Sequence, residues 1–162
     1  AGPDLFVLDD GQKKIQSTAT GRIISYTWTP SIYLSDTTIL QPTIIKPKED
    51  TYYYLAVKGR GACTSKDTLF IVSLAMPKPP NTFTPNGDGI NDTWEIKYLD
   101  QYEGCDIEVY TSTGQLLYNN TGYTKPWDGN YKGSPVPSGT YYYVIDPKNG
   151  RKKIAGYVTI LR

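Results

Sequence analysis

The sequence contains no histidine, one methionine and only two cysteines. Without histidine the chain lacks the commonest general base and the commonest metal ligand, and a Ser–His or Cys–His nucleophile cannot be assembled within it. No CxxC pair offers a zinc site. Cys63 and Cys105 stand far apart in the sequence, and two readings stay open for them. An exported chain could join them in a disulfide. Alternatively Cys105, which alternates with Ile107 and Val109, is a buried free thiol. No glycine-rich phosphate loop is present. No apolar run approaches the length of a membrane span, and the longest, Tyr52 to Val57, has strand length. The net charge is only +1, so no general attraction to nucleic acid or to an anionic membrane is expected. The opening residues lack the basic start and apolar stretch of a signal peptide, so the chain is expected to be a processed or excised piece of a longer exported protein. The adjacent acids Asp9-Asp10 and Glu49-Asp50 read as solvated loop charges rather than a glycosidase pair. No catalytic residue is expected, and the chain is not read as an enzyme.

What is abundant points to strands. Fifteen tyrosines supply a strand former, while fifteen glycines and twelve prolines supply turns. Strands are expected over Ile23 to Thr29, where Ile24, Tyr26 and Trp28 alternate before Pro30, and over Thr51 to Val57 and Thr68 to Leu74. In the second half they are expected over Asp106 to Tyr110, Thr140 to Ile145 and Ile154 to Leu161, the last two joined by a hairpin turn at Asp146-Pro147-Lys148-Asn149-Gly150. No window has the helical period with caps. Three prolines within Met76 to Asn81 predict a short, semi-rigid linker. The chain therefore reads as all-β, with two small β-sandwich domains at residues 1–78 and 79–162. Both contain the tetrapeptide Thr-Tyr-Tyr-Tyr, at Thr51 to Tyr54 and Thr140 to Tyr143, each opening a penultimate strand. That shared context suggests two related sandwiches.

Three groups of residues bear on function. In Thr84-Pro85-Asn86-Gly87-Asp88-Gly89-Ile90-Asn91-Asp92, oxygens from Asn86, Asp88, the Ile90 carbonyl and Asp92 recur at every second residue, as in the first half of a calcium loop. The bidentate acid that would complete an EF-hand is missing, since Lys97 stands there, although Glu95 could supply a late carboxylate. The alternative is an Asx-rich turn whose side chains bond their own backbone. The basic residues Lys148, Arg151, Lys152, Lys153 and Arg162 read either as a solvated hairpin tip or as a docking surface for a partner. Trp28 is expected in the core. Trp94 and Trp127 could pack, or stack on a sugar if exposed. Asn91 and Asn119 each begin a glycosylation sequon, a pattern common by chance.

The stretch Asn81-Thr82-Phe83-Thr84-Pro85-Asn86-Gly87-Asp88-Gly89-Ile90-Asn91-Asp92-Thr93-Trp94 resembles the opening signature of the gliding-motility-associated C-terminal domain, the type B sorting domain of the type IX secretion system. The likeness continues through Ile107 to Tyr110, Gly114, Gly122-Tyr123, Trp127-Asp128-Gly129 and Pro137, then Gly139 to Tyr143 and Gly156 to Arg162. It departs from the pattern at Thr111-Ser112-Thr113, where the family often carries Asn-Arg-Trp. Residues 4–74 are similar, more loosely, to the polycystic-kidney-disease or immunoglobulin-like repeats that precede such domains. The resemblance implies two tandem immunoglobulin-like β-sandwich domains from a secreted or cell-surface protein, often an adhesin. It implies export through the periplasm and recognition by outer-membrane components of the type IX machinery. A monomer without membrane insertion or nucleic-acid binding is expected, and no cofactor is required beyond a structural calcium. An adhesive or carbohydrate-binding surface module is the alternative. Strand Ile154 to Leu161 is expected to offer an accessible sheet edge for pairing with a partner.

Overall fold

The computed structural model describes residues 1–61 and 63–162. They form an all-β protein in two compact units, Ala1–Ala75 and Met76–Arg162. Each is an immunoglobulin-like sandwich built around one large sheet.

In the first unit, β1 (Leu5–Leu8), β6 (Thr64–Leu74), β5 (Thr51–Gly59) and β3 (Ile23–Thr29) lie side by side in that order, and β2 (Gln12–Lys14) pairs with β4 (Thr43–Ile45) in a smaller sheet. β1 runs parallel to β6, whereas β5 is antiparallel to both its neighbours. The inward residues alternate: Thr51, Tyr53 and Leu55 are buried along β5, and Leu69 and Ile71 along β6. They close on Trp28 and on Ile15 and Ile44 from the facing layer. The Trp28 indole N–H donates to the Ile39 carbonyl (3.0 Å) and the Tyr53 hydroxyl to the Ile32 carbonyl (2.7 Å), so both large rings enter the core with their polar atoms satisfied. Trp28 is a core residue, as its alternation predicts.

In the second unit the large sheet has the order β7 (Thr82–Phe83), β13 (Ile154–Ile160), β12 (Gly139–Asp146), β8 (Asp106–Tyr110) and β9 (Leu116–Thr121); β10 (Asn130–Tyr131) and β11 (Ser134–Pro135) form a separate hairpin. Its inward face carries Ile107, Val109, Tyr141, Tyr143, Ile145, Val158 and Ile160. Gly156 lies opposite Tyr143, and a Cβ there would sit 2.5 Å from the Tyr143 hydroxyl, so the missing side chain makes room for the ring. A short 3-10 turn at Leu99–Gln101 adds Leu99 and Tyr102 to the core.

Two expectations are modified here, and one open alternative is settled. The strand near the end of the chain, β13, is paired on its outer side by β7 only at Thr159 and Ile160, so the expected edge is closed at that end, while residues 154–158 have no strand beyond them among the described residues; β9 is the other outer strand. A local sequence cannot show that Thr82 and Phe83, some 77 positions upstream, pair alongside Thr159 and Ile160. In the stretch expected as a linker, the Lys78 N–H donates to the Lys97 carbonyl (3.0 Å), so pairing to the second unit begins inside it. Cys63 and Cys105 are both free thiols, the first exposed and the second buried, and burial pushes the Cys105 thiol up from its ordinary value.

Candidate functional site

The loop Asn86–Asp92 is wound by its own acids. Gly87 and Gly89 have φ of 81° and 86°, left-handed values that glycine adopts freely, and they turn their N–H groups onto one carboxylate. Asp92 accepts from Gly87 N–H at 2.7 Å through Oδ1 and from Gly89 N–H at 2.8 Å through Oδ2. Asp88 Oδ1 accepts from Ile90 N–H at 2.8 Å, and Asn86 Oδ1 accepts from Asp88 N–H at 3.1 Å. The amide of Asn86 donates to Asp88 Oδ2 at 2.9 Å. The Gly87 N–H, then the Gly89 N–H, hold the Asp92 carboxyl below its ordinary range. Thus Asn86, Asp88 and Asp92 are engaged with backbone or amide donors, and the Ile90 carbonyl receives the Thr84 hydroxyl at 3.4 Å. Among the described residues no group of three or more Asp, Glu, Cys or His is placed to hold a metal ion. A calcium ion would compete with these bonds.

Behind the loop sits the indole pair. Trp94 and Trp127 are both almost wholly buried, which removes them as sugar-stacking surfaces. Their main chains meet, Trp94 N–H donating to Trp127 C=O at 2.8 Å, and their ring N–H groups donate to the Pro80 and Asn130 carbonyls. Trp94 packs 4.9 Å from Tyr143 and Trp127 meets Tyr141 edge-on at 5.7 Å. Tyr123 donates its hydroxyl to the Trp94 carbonyl, and burial pushes its phenol well above the ordinary value. The Trp-Asp-Gly run is therefore a structural corner. The sequence could have signalled this through Pro126 and Gly129, which end the run in a turn and leave the indole no strand face on which to be exposed.

The basic residues do not form one patch. Lys148, at the hairpin tip with φ 64°, is held by Asp106 at 2.8 Å and Asp146 at 3.0 Å, and Lys153 reaches Asp146 at 3.5 Å. Arg151 is buried, donating from Nε to the Tyr102 hydroxyl at 2.7 Å with its guanidinium 5.8 Å from that ring. Arg162 lies at the opposite end of β13 and ties two loops together, donating to the Val136 carbonyl and, at 2.9 Å, to the Gly129 carbonyl. Lys152 is left exposed. Charge alone could not separate these roles, because burial and acid partners come from strands distant in sequence.

On the outward face of the large sheet, register aligns Tyr157, Tyr142 and Tyr110 across β13, β12 and β8. Tyr142 and Tyr157 are 49% and 55% exposed. At the β8–β9 turn, Thr111 Oγ1 and Thr113 Oγ1 are hydrogen-bonded at 2.9 Å, and Thr111 Oγ1 also accepts from Gln115 N–H. Thr111-Ser112-Thr113 thus closes its own turn.

Residues 77–160, just over half of the chain, match the CHU_C type IX secretion signal domain family. The chain belongs to this family. The CHU_C match begins one residue inside the second unit and ends two residues before its last, taking in the wound loop, the indole corner and the whole large sheet. Membership gives the chain the role of a sorting signal and implies export to the cell surface; the family is one of secretion signals, not of enzymes. No curated protein sequence matches the chain. Among solved structures, the DIP-gamma fragment of two immunoglobulin domains aligns over 98% of this chain and 92% of its own, at 11% identity and TM-score 0.49. Dimeric latent PorU from Porphyromonas gingivalis aligns over 99% of this chain and 19% of its own, at 15% identity and TM-score 0.33, so the chain spans about a fifth of PorU's length. SGBP-B of the Bacteroides ovatus mixed-linkage glucan utilization locus, solved with a mixed-linkage heptasaccharide, aligns over 98% of this chain and 43% of its own, at 12% identity and TM-score 0.36. No helix among the described residues is long and apolar enough to cross a membrane.

Proposed function

We propose that Met76–Arg162 is the address that outer-membrane components of the type IX machinery read, and that Ala1–Ala75 is an immunoglobulin-like spacer between this address and a cell-surface parent, of adhesin type. The observation that carries the reading is the family match, which is confined to the unit that folds around its own core. Such a signal has modest chemical needs. It must be compact and stable, and it must expose a surface that a partner can recognise. The locally bonded loop and the indole corner serve the first need. The unit acts as a monomer without nucleic acid.

The test is a fusion. Residues 76–162 are attached to a reporter carrying a signal peptide, in a host with a working type IX system. Reporter should appear outside the cell and should remain in the periplasm of a secretion-defective strain. Periplasmic retention in both strains would count against the unit as a sufficient signal.

A second reading, glycan binding, is favoured by one observation, the in-register row Tyr157–Tyr142–Tyr110. Strand spacing sets such rings about 5 Å apart, so a sugar chain crossing the strands could stack on them in turn. Retention of the chain on insoluble polysaccharide, lost in Tyr142→Ala, would support it; no retention on a broad glycan panel would end it.

A further inference from the structure

The edges of the two large sheets are not treated alike. β7 is two residues long and covers β13 only at Thr159 and Ile160; the uncovered stretch of β13 begins beside the exposed Lys152 and Lys153, the charged kind of residue that blunts an edge. β1 is four residues long, and Lys13 Nζ covers the Phe6 carbonyl at 3.3 Å. β3 is bulged between Ile23 and Ser25, and its Trp28 N–H is taken by the Thr37 carbonyl at 2.9 Å. β9 is different. It is six residues long and forms the end of its sheet. No charged residue occurs from Val109 to Thr124, although a fifth of the chain is charged. Edge strands are normally blunted by lysine, proline or a covering segment.

The pairing with β8 fixes which backbone groups are left over. Gly122 N–H donates to Cys105 C=O at 2.7 Å, which makes that couple a hydrogen-bonded pair. Counting along the antiparallel register, Thr121 opposite Asp106 and Asn119 opposite Glu108 occupy the alternate positions. Their N–H and C=O groups point away from the sheet, and among the described residues no backbone group pairs with them. Beside the start of β9 lies an apolar cleft of about 280 Å3, walled by Leu117, Tyr131, Pro135, Val136, Pro137 and Tyr141. The hairpin β10–β11 is its far side.

We propose that β9 and this cleft receive an extended peptide strand, with an apolar side chain in the cleft, from a protein that handles the domain during export. The inference rests on reading the second unit as an export signal. Main-chain donors and acceptors presented at strand spacing are solvated when free, and another main chain matches their spacing. The cleft beside them, lined mainly by aliphatic, proline and tyrosine side chains with the uncharged Thr111, Gln115 and Ser134, suits an apolar residue rather than a charged one. Backbone pairing then provides affinity and the cleft provides selectivity, the division of labour of strand addition.

The test uses the full chain fused behind a signal peptide and reporter in a type IX host. Asn119→Pro deletes one outward N–H, and proline is tolerated where a strand's N–H faces solvent. Ser134→Glu sets a carboxylate at the cleft rim from an exposed position. Both variants should melt like the parent. Each should lower external reporter by roughly tenfold, Asn119→Pro through the loss of one main-chain hydrogen bond and Ser134→Glu through the cost of a carboxylate against an apolar side chain. If Asn119→Pro fails to fold, Ser134→Glu decides alone. Parental export by a folded variant overturns the proposal. So does a dimer in solution that Asn119→Pro abolishes while export is intact, which would assign the edge to a second copy. Deleting residues 76–162 separates the two levels. If the deletion blocks export while the folded variants do not, only the edge proposal falls; if the deletion exports normally, the reading of the unit as a signal falls as well.

Discussion

The same four residues, Thr-Tyr-Tyr-Tyr, are folded in opposite phase in the two units. In β5, Thr51 and Tyr53 face the core while Tyr52 and Tyr54 are more than half exposed. In β12, Tyr141 and Tyr143 are buried, and Thr140 and Tyr142 face out. A strand has period two, so a shift of one residue exchanges its faces. The tetrapeptide does not decide which tyrosine goes inside. The residues after it decide: Leu55 continues the inward row in β5, whereas Ile145 continues it in β12. The expectation of two related sandwiches built on a common strand is therefore met in place, since both segments pair with the strand that follows, and not in phase.

The largest effect should come from testing that phase. Tyr53→Ala and Tyr143→Ala, at buried positions, should each cost about 3–5 kcal/mol, as large aromatic truncations in cores do. Tyr142→Ala should stay within about 0.5 kcal/mol, and Tyr52→Ala, which loses a ring contact with Phe70 at 4.3 Å, should cost about 0.5–1.5 kcal/mol. Urea unfolding of all four checks it, and equal costs within either pair would contradict the opposite phases. Next in size is Gly156→Ala, whose new Cβ would press on the Tyr143 ring. It should cost about 1–3 kcal/mol by overpacking, and combining it with Tyr143→Ala should recover part of that loss.

Alkaline pH should weaken both units in parallel. Burial pushes the Tyr53 and Tyr118 phenols up to about 12 from an ordinary 10.0. A raised folded value favours the protonated form, so this stability is complete below the unfolded value and is lost as pH rises from about 10 to about 12. A melting temperature flat across that range would refute the assignment. The smallest effect belongs to Asp92→Ala, which should lower the melting temperature of the second unit equally with calcium and with chelator. A difference between the two conditions would restore a metal to the loop. Because backbone donors lower the folded value of Asp92, its contribution should be present above the ordinary aspartate range and fade as pH falls through the lowered value.

These contrasts also mark what could be read from the chain. Strands rich in β-formers, such as Ile23–Thr29 and Asp106–Tyr110, appear at the expected residues, although a bulge between Ile23 and Ser25 leaves Ile24 exposed and off the Trp28 face. β9 carries no strand signal of this kind, because Leu-Leu-Tyr-Asn-Asn-Thr has no alternation and its pairing is bulged between Val109 and Tyr110. The Asn86–Asp92 loop was legible as a tight Asx-rich winding, since its bonds span at most seven positions. Arg151 was not, because its environment comes from Tyr102, forty-nine positions away. Information carried by sequence neighbours is visible in sequence; information carried by sheet order is not.

The short span of those loop bonds also has a meaning in time. Segments of about ten residues close in roughly 10–100 ns, whereas distant strand pairing must wait for a much longer search. Thr82 cannot meet Thr159 until most of the domain has arrived, but Asp92 can gather Gly87 and Gly89 almost as soon as all three exist. The signature loop is then among the first pieces of the domain to reach its final shape, and the sheet assembles beside a corner that is already set.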